Sequence, residues 1–371
     1  MRELLRFLFE WLHRWMPKAN HTVIYGWPDG EDQSRALEQS LQATRLERVV
    51  LLLERPEEAS WADGPKTRRV RKASLAGIGW FLRARYVFFS HPCFVRRFPA
   101  NVVSVNCWHG MPIKKIGAMI ENDEPIRCSH TLATSPFWGE IMQRTIMKPG
   151  GDILATGLPR NDRLFVPRHE VFEKLSLDPG QRLVLWLPTY RTSLRGLPRE
   201  DGVDYGNAFG LPDADPEELN DFLGRHKARM VVKPHPMAST SGFQSWSHLK
   251  IIDDAWLAGR SVSLYELLGA SAMLITDISS AVIDYLLLDR PVIHAFPDLD
   301  EYRASRGFTV EPIEDYLAGA VVRDQRGLVA ALEKELGGDD PHAERRQKLL
   351  ELSHQHRDGA ATKRLLESIG L

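Results

Sequence analysis

The segment around His109 combines residue types that can move a proton and bind phosphate. His109 follows the apolar run that ends at Val105, and an imidazole is the side chain best suited to accept a proton near neutral pH. Gly110 lets a substrate approach the backbone, and Lys114 and Lys115 can neutralise a phosphate as point charges. This spacing indicates a general base beside a phosphate-binding pair. The alternative is a strand-end histidine that is hydrogen-bonded to the backbone.

A second group of basic and hydroxyl side chains lies in the other half of the chain. Thr189 and Arg191 follow the apolar run that ends at Leu187, and arginine is suited to bidentate phosphate recognition. Further along, His235 stands between two prolines that stiffen its backbone, and Lys233 lies one strand step away on the same side. Either of these two basic side chains can neutralise charge on a leaving phosphate, so His235 is a second candidate catalytic residue.

The stretch 270–291 has the pattern of a strand, a polar turn and a helix. A short apolar run, 272–275, is followed by residues of the types that cap helix N-termini: Thr276, Asp277, Ser279 and Ser280. Backbone N–H groups and the positive end of the helix dipole bind phosphate at such a turn. The turn is therefore a candidate phosphate site. An ordinary capped helix is the alternative.

Two weaker clusters complete the candidate set. Arg160 and Asn161 follow a proline-containing turn after a strand, and Arg303 and Arg306 lie near a helix end. A plain turn and a surface ion pair are the respective alternatives. The sequence has no GxGxxG, P-loop, HExxH or GxSxG pattern, so we predict neither a cofactor nor a metal ion.

The segments that must position these clusters alternate between apolar runs of strand length and runs of helical periodicity. This alternation is typical of α/β domains with parallel sheets, which bind ligands at the carboxyl ends of their strands. At 371 residues the chain is long enough for two such domains. The predicted divisions are an amphipathic N-terminal helix (1–20), a first Rossmann-like domain (21–170), a second one (171–345) and a helical tail (346–371). A segment rich in Gly, Pro and Asp, 195–216, is predicted to be a long loop beside the site.

Charge and cysteine content restrict the class of protein. Lys+Arg 48 against Asp+Glu 49 gives a net charge of −1, which argues against nucleic acid as a partner. The three cysteines form no CxxC pair and suit a reducing cytoplasm. No apolar run approaches the ~20 residues of a membrane span.

Two segments are candidate contacts to a membrane surface. Within residues 1–15 the leucines and tryptophans share one helical face beside basic residues, which suits a helix in a membrane interface. Packing of that helix on the first domain is equally compatible with the pattern. The basic run 66–72 can attract anionic lipid or a polyanionic acceptor, and a solvated helix face is its alternative.

Taken in order, these clusters resemble the motifs of the CDP-glycerol glycerophosphotransferase family, the teichoic-acid polymerases and primases. Six segments match: WHG-x-P-x-K-K at 108–115, T-G-x-P-R-N-D at 156–162, P-T-[WY]-R at 188–191, His-Pro at 235–236, T-D-x-S-S-x-x-x-D-x-x-x-L-x-R-P at 276–291 and E-Y-R-x-x-R-G at 301–307. Each motif is short, but six of them in the right order are specific together.

The resemblance implies a GT-B fold, with two Rossmann-like domains facing across a cleft and no metal. It implies transfer of glycerol phosphate, or a related polyol phosphate, from CDP-glycerol or another CDP-polyol to a hydroxyl group, with release of CMP. The acceptor would be lipid-linked or polymeric, as in the synthesis of teichoic-acid-like or capsular polymers. The enzyme would be a cytoplasmic protein, peripheral at the inner face of the cell membrane.

The resemblance also implies roles for individual residues. His109 is the candidate general base on the acceptor hydroxyl. Asp284 is a candidate ligand of ribose or glycerol hydroxyls, or else a helix-interior residue bonded to nearby backbone. The pyrophosphate would be bound by side chains that follow strands of the second domain: Arg191, His235, Thr276, Ser279 and Ser280.

Two other interpretations stay open. One is a GT-B glycosyltransferase that uses a CMP- or UDP-sugar, because bacterial sialyltransferases of that fold also have a His-Pro motif. The other is a non-catalytic scaffold at the membrane, which the presence of His109 and His235 opposes. The residues before about Trp80 match the family poorly, and acceptor choice is expected to reside there. The chain therefore fits a primase, a short-chain transferase or a capsule enzyme as well as a polymerase.

Overall fold

The computed structural model describes residues 2–59, 61, 63–120, 126–146, 151–191, 201–235 and 244–371, with side chains from residue 6 onward. Contacts divide the chain into two units. The first comprises Met1–Pro112, Ile116–Arg163 and Ser353–Leu371, and the second comprises Ile113–Lys115 and Leu164–Leu352. The division after Arg163 lies a few residues before the predicted boundary, because Leu164 already packs in a core of the second unit.

The first unit is built on a seven-stranded parallel sheet with the order β3-β2-β1-β4-β5-β6-β7. Its strands are β1 (Ala19–Tyr25), β2 (Arg48–Leu53), β3 (Thr67–Arg71), β4 (Ala84–Phe89), β5 (Val103–Asn106), β6 (His130–Leu132) and β7 (Asp152–Leu154). The strand order reverses between β1 and β4. The carboxyl ends at such a reversal form the crevice in which parallel α/β sheets bind ligands.

Four helices of the first unit precede the division: α1 (Arg2–Trp15), α2 (Asp32–Leu41), α3 (Leu75–Arg83) and α4 (Pro136–Thr145). Serines cap the N-termini of two of these helices. The side chain of Ser74 accepts the N–H of Gly77 in α3, and that of Ser135 accepts the N–H of Trp138 in α4. Valines of the central strands pack with phenylalanines in one core: Val23, Val50, Val87, Phe81 and Phe89.

The second unit contains another seven-stranded sheet, with the order β10-β11-β9-β8-β12-β13-β14. Its strands are β8 (Arg182–Leu187), β9 (Ala228–Val232), β10 (Gln244–Ser245), β11 (Leu249–Ile251), β12 (Met273–Thr276), β13 (Val292–Ala295) and β14 (Ala320–Val322). All neighbouring strands are parallel except β10, which pairs antiparallel with β11. The order reverses between β8 and β12, so the clusters after these strands share one crevice.

The apolar run of β8 shows why such runs become central strands. Leu183 and Leu185 face one core of the second unit, and Val184 and Trp186 face the other. A strand with cores on both faces needs apolar residues throughout, as in parallel sheets covered by helices on both sides. The helices are α5 (Arg168–Leu175), α6 (Pro216–Arg225), α7 (Asp254–Ala258), α8 (Leu264–Ala270), α9 (Ala281–Tyr285), α10 (Leu299–Ser305), α11 (Gln325–Gly337) and α12 (Ala343–Ser353). The α/β class with parallel sheets, predicted from the sequence, is confirmed.

The C-terminal helix α13 (Ala361–Ser368) belongs to the first unit, not to a separate tail. The carboxylate of Asp162 accepts the N–H of Ala361 at 2.7 Å and that of Thr362 at 2.9 Å. An acidic side chain there satisfies the free N–H groups at the start of the helix. The aspartate of the T-G-x-P-R-N-D motif therefore caps α13.

The N-terminal helix α1 has one packed face and one exposed face. One face packs on the first unit, where Phe9 contacts Phe81 and Phe94 at ring distances of 6.0 and 5.4 Å. The other face carries a stripe of exposed apolar side chains: Phe7, Leu8, Trp11 and Trp15. No helix in the described part of the chain is long and apolar enough to cross a membrane.

The basic run 66–72 is not a helix face but mostly the strand β3, at the edge of the first sheet. Its charges are largely paired within the unit. Arg69 forms an ion pair with Asp63 at 2.8 Å, and Lys72 donates a hydrogen bond to the carbonyl of Gly26 at 2.6 Å. These contacts leave little of the run available for a polyanion.

His13 in α1 makes the stability of the first unit depend on pH. Its ring is fully buried between Phe81 and Phe98, and neither ring nitrogen has a hydrogen-bond partner among the described residues. Burial, with Lys18 nearby, lowers the pKa of His13 from 6.5 to about 3. The unfolded chain therefore takes up a proton below pH 6.5 that the folded protein does not bind until about pH 3.

We expect His13→Phe to stabilise the protein, and to do so more at pH 5 than at pH 7.5. The proton uptake of His13 removes on the order of 2 kcal/mol of stability at pH 5, and phenylalanine abolishes this loss. Urea unfolding at both pH values measures the difference. His169→Phe, at an exposed position, is the control. An equal pH dependence in wild type and His13→Phe would contradict the assignment.

Candidate active site

His109 lies in the loop after β5, beside the reversal of strand order in the first sheet. Trp108 before it adopts a left-handed conformation with φ 51°, and Gly110 after it has φ 124°. The N–H of Trp108 donates to the side-chain oxygen of Asn106 at 3.1 Å. A left-handed tryptophan is uncommon and must be held by its surroundings. The glycine is required here because side chains rarely adopt its backbone angle.

The ring of His109 is oriented as a proton acceptor. Its Nδ1 lies 3.3 Å from the carbonyl oxygen of Ser90, which can only accept a hydrogen bond. Nδ1 therefore carries the proton, and Nε2 keeps its lone pair. The ring stacks on His91 at 4.5 Å and on Trp108 at 4.2 Å. Burial lowers the pKa of His109 to about 4, so the imidazole is neutral at physiological pH.

Two further predicted residues lie in the same unit as His109. Arg160 and Asn161 are buried in a 3-10 helix, Pro159–Phe165, that follows β7. The backbone N–H of Arg160 donates to the side-chain oxygen of Gln33 at 2.9 Å. The side-chain amide of Asn161 has no hydrogen-bond partner among the described residues, although it is buried.

In the second unit, the turn after β12 is fixed to strands on both sides. Thr276 is fully buried and donates its hydroxyl to the carbonyl of Leu187 in β8 at 2.5 Å. On the other side, Nδ1 of His294 in β13 donates to the carbonyl of Asp277 at 2.7 Å, and its Nε2 accepts the N–H of Ala318 at 3.0 Å. Thr276 thus positions the turn, and its hydroxyl is not available to a ligand.

Arg191 is engaged by two carboxylates, not free for a phosphate as the sequence predicted. Its Nε and Nη2 donate to Asp298 at 2.6 and 2.8 Å, and its Nη1 donates to Asp277 at 2.6 Å. Thr189 donates its hydroxyl to Asp277 at 2.5 Å and accepts from Arg191 at 2.7 Å. Burial alone would raise the pKa of Asp277, but Arg191 and Lys114 hold it below its ordinary value. We call Arg191, Asp277 and Asp298 the arginine network.

A pocket that is open to solvent lies beside the arginine network. One wall is the segment Pro188–Arg191 with Asp277, and the facing wall is formed by residues 203–205 and 207–210 of the predicted long loop. His235 lines the pocket with its ring 4.6 Å from that of Tyr190. Residues 195–200 of that loop and Pro236 lie outside the described residues.

Lys114 brings a cation from the first motif into the second unit. It forms an isolated antiparallel β-bridge with Phe308, and its Nζ lies 5.6 Å from the ring centre of Tyr302. Burial lowers the pKa of Lys114 to about 8, and Asp277 opposes that shift. Arg306 contributes a second cation, 3.7 Å from Asp201. Lys115 is exposed and extends along Gly307.

The two serines of the turn lie at the start of α9 and are half-buried. Within the described residues, the N–H groups of Ser279 and Ser280 have no hydrogen-bond partner. The helix that follows is short: α9 has five residues and continues as a 3-10 turn, Leu286–Leu288. Any attraction for phosphate therefore comes from local N–H and hydroxyl donors more than from a long helix dipole.

Three residues that were predicted to bind the substrate instead contact other side chains of the protein. Lys233 is buried and forms an ion pair with Asp254 at 2.8 Å. Asp284 is fully buried and accepts a hydrogen bond from the hydroxyl of Tyr265 on α8. The helix turns Asp284 towards the protein interior, so it is not placed to bind a ribose or glycerol hydroxyl. Arg303 lies at the surface among acidic side chains: Asp300, Glu311 and Glu314.

Several residues of the two sites were not predicted. Asp298 lies three residues after the end of β13, so the rule that polar residues after strands form sites could have found it. Ser90 and His91 likewise follow β4. Gln33 lies in a helix and has no such signal.

Comparison with known proteins finds a family whose sequence profile matches nearly the whole chain. A sequence profile described as CDP-glycerol:poly(glycerophosphate) glycerophosphotransferase matches residues 8–371. The match includes every cluster that the sequence singled out.

The chain is also similar to characterised bacterial proteins. It is 27% identical over 311 residues to the teichoic acid ribitol-phosphate polymerase TarK of Staphylococcus aureus, which covers 77% of this chain and 56% of that protein. It is 25% identical over 285 residues to a teichoic acid glycerol-phosphate transferase of the same organism, covering 71% of this chain and 69% of the relative. The chain thus spans little more than half the length of the first relative.

The structure is similar to that of the wall teichoic acid polymerase TagF. The TM-score is 0.77 at 19% sequence identity, over 100% of this chain and 92% of that one. At such low identity the similarity shows the fold alone, and it confirms the GT-B-like class predicted from the sequence.

We expect Arg191→Ala to destabilise the second unit strongly. The substitution leaves the buried carboxylates of Asp277 and Asp298 without their shared cation, which costs on the order of 3–5 kcal/mol. Chemical unfolding measures the loss. Arg303→Ala is the matched control, and removal of its exposed ion pairs should cost less than about 1 kcal/mol. Equal stability of Arg191→Ala and wild type would contradict a structural role for the arginine network.

Proposed function

This chain belongs to the CDP-glycerol:poly(glycerophosphate) glycerophosphotransferase family, and we propose that it transfers a polyol phosphate from a CDP-linked donor to a hydroxyl group. The oxygen of the acceptor hydroxyl forms a bond to the phosphorus next to the polyol. The bond from that phosphorus to the bridging oxygen breaks, and CMP leaves with the electron pair. CDP-glycerol is the first candidate donor, and CDP-ribitol is the second because one relative is a ribitol-phosphate polymerase.

The observation that carries this proposal is the state of His109. Its ring is neutral at physiological pH, and its Nε2 has a lone pair because Nδ1 donates to Ser90. A neutral imidazole held in one tautomer can take the proton of the acceptor hydroxyl as the new bond forms. We assign His109 as the general base.

The second unit supplies the groups that a nucleotide donor needs. The pocket beside the arginine network is open to solvent and has His235 in its lining. Lys114, Arg306 and the N–H groups of Ser279 and Ser280 are candidate partners for the pyrophosphate. Phosphoryl transfer depends mainly on such charge stabilisation and positioning. We assign His235 and Lys114 to stabilising the charge on the departing CMP.

The acceptor is proposed from the relatives. Two of them act in teichoic acid synthesis according to their names, which supports a polymeric or lipid-linked polyol phosphate as the acceptor. Synthesis of a related capsular polymer would use the same chemistry. No second function is favoured by a particular observation of the two sites.

We expect purified protein to release CMP from CDP-glycerol or CDP-ribitol in the presence of a prenyl-linked polyol-phosphate acceptor. His109→Asn should lower the turnover number by about 10²–10⁴-fold, the usual contribution of a general base, with a smaller effect on KM. A coupled CMP assay measures both constants. His169→Asn, at an exposed position, is the control.

Near wild-type turnover of His109→Asn would refute the base assignment. Protection from thermal unfolding by CMP-sialate or a UDP-sugar, without protection by either CDP-polyol, would refute the donor class and favour a glycosyltransferase.

We further propose that α1 docks the protein on a membrane surface. Its outer stripe exposes 67% of Phe7, 51% of Trp11 and 66% of Trp15. Aromatic side chains of this kind partition into the headgroup region of a bilayer, where basic neighbours such as Arg14 contact anionic lipids. Such docking would bring a lipid-linked acceptor to the enzyme.

We expect Trp11→Ala/Trp15→Ala to reduce binding to vesicles of phosphatidylglycerol and phosphatidylcholine by at least tenfold, because two interfacial anchors are lost. Vesicle co-sedimentation measures the binding. Phe165→Ala removes an exposed aromatic ring elsewhere and is the control. Unchanged binding of the double variant, or no binding by the wild type, would rule out this role of α1.

A further inference from the structure

Gln33 is a buried polar residue at the reversal of strand order in the first sheet. It lies in the first turn of α2, the helix that follows β1, and its exposed fraction is 1%. A buried amide must find hydrogen-bond partners, because an unsatisfied polar group costs free energy. The partners of Gln33 show what this residue does.

The side chain of Gln33 joins two loops that are distant in sequence. Its Nε2 donates to the carbonyl of Cys107 at 3.2 Å and to that of Trp108 at 3.2 Å. Its Oε1 accepts the backbone N–H of Arg160 at 2.9 Å. The amide thus connects the WHG loop, 107–110, to the loop of the T-G-x-P-R-N-D motif through three backbone groups.

These bonds fix the peptide that presents His109. The carbonyl of Trp108 and the nitrogen of His109 belong to one planar peptide group. The direction of that carbonyl therefore determines the orientation of the backbone at His109. Trp108 is left-handed with φ 51°, a conformation that needs support. Asn106 holds the N–H of Trp108, and Gln33 holds its carbonyl. Hydrogen bonds therefore hold both backbone polar groups of Trp108.

We propose that Gln33 is a positioning residue for the transfer reaction, locking the left-handed Trp108 so that Nε2 of His109 meets the acceptor hydroxyl. This inference rests on the proposed role of His109 as the general base. Gln33 itself does not touch the reacting atoms. It acts through the backbone of the WHG loop.

The amide is the group that satisfies all three contacts. Its NH₂ supplies two donors and its oxygen supplies one acceptor. A glutamate has nearly the same shape and keeps the acceptor for Arg160, but an ionised carboxylate has no donor for the two carbonyls. Protonation returns one donor. Glutamate at position 33 therefore switches this interaction with pH while leaving the packing almost unchanged.

Other ionisable groups surround this position and set the baseline for a pH experiment. Glu31 and Asp32 precede Gln33 in the chain, and His109 and Arg160 lie in the loops that it joins. Burial raises the pKa of Glu31 to about 7, opposed by hydrogen bonds from Ser34 and Gln33. These groups are present in wild type and variant alike, so only the difference between the two pH profiles is informative.

The test is the turnover number of Gln33→Glu between pH 5.5 and 8.5, measured by CMP release with the donor that the wild type uses. At pH 8 we expect a loss of about 10²-fold, the scale expected when a catalytic group is displaced by about 1 Å. The loss should shrink at least fivefold as the pH falls to 6, because the protonated glutamate donates again. KM for the donor should change less than twofold, since the pocket lies in the other unit.

Gln39→Glu, the same substitution at an exposed position of α2, should keep wild-type turnover and its pH profile. Gln33→Leu, which lacks both donors and the acceptor, should lose turnover without recovery at low pH. Wild-type turnover of Gln33→Glu at pH 8, or a loss that does not depend on pH, would overturn the inference. Failure of the wild type to release CMP from either CDP-polyol would instead refute the proposed function.

Discussion

The arginine network is the interaction on which the second unit's site depends. A guanidinium removed from water is stable only when carboxylates compensate its charge and occupy its donors. Asp277 and Asp298 do both, and they come from the ends of β12 and β13 while Arg191 comes from the end of β8. One buried cation therefore joins the ends of three adjacent strands.

The same network organises the wall of the pocket. The carboxylate of Asp298 also accepts the N–H of Val203 at 2.8 Å, and the carbonyl of Arg191 accepts the N–H of Asp201 at 3.1 Å. The described part of the long loop is therefore attached by hydrogen bonds from its backbone N–H groups to Asp298 and Arg191. Since the carboxylates balance Arg191, the cations that we propose to bind a pyrophosphate are Lys114 and Arg306. The first motif thus contributes to both units, with His109 in one and Lys114 in the other.

The sequence predicted the α/β class and the strands before the candidate sites, but not the pairing of the side chains. Apolar runs marked β5, β8 and β12 because both faces of each sheet are buried, and the polar residues after these strands form the two candidate sites. The same patterns could not show that Arg191 is neutralised, since Asp298 is 107 residues away. They also could not orient Asp284, because its helix is only five residues long. The edge strand β3 escaped detection because its long basic side chains have no apolar alternation.

Gln33 shows why a motif does not reveal everything that positions its residues. Its partners are the backbone carbonyls of Cys107 and Trp108, which every residue type offers, and the backbone N–H of Arg160, which every residue type except proline offers. The residue types of the motifs therefore do not indicate that an amide from α2 contacts them. Gln33 lies outside the six motifs, although the family profile matches residues 8–371. A residue that acts on backbone can be recognised only when the folded chain shows which carbonyls it holds.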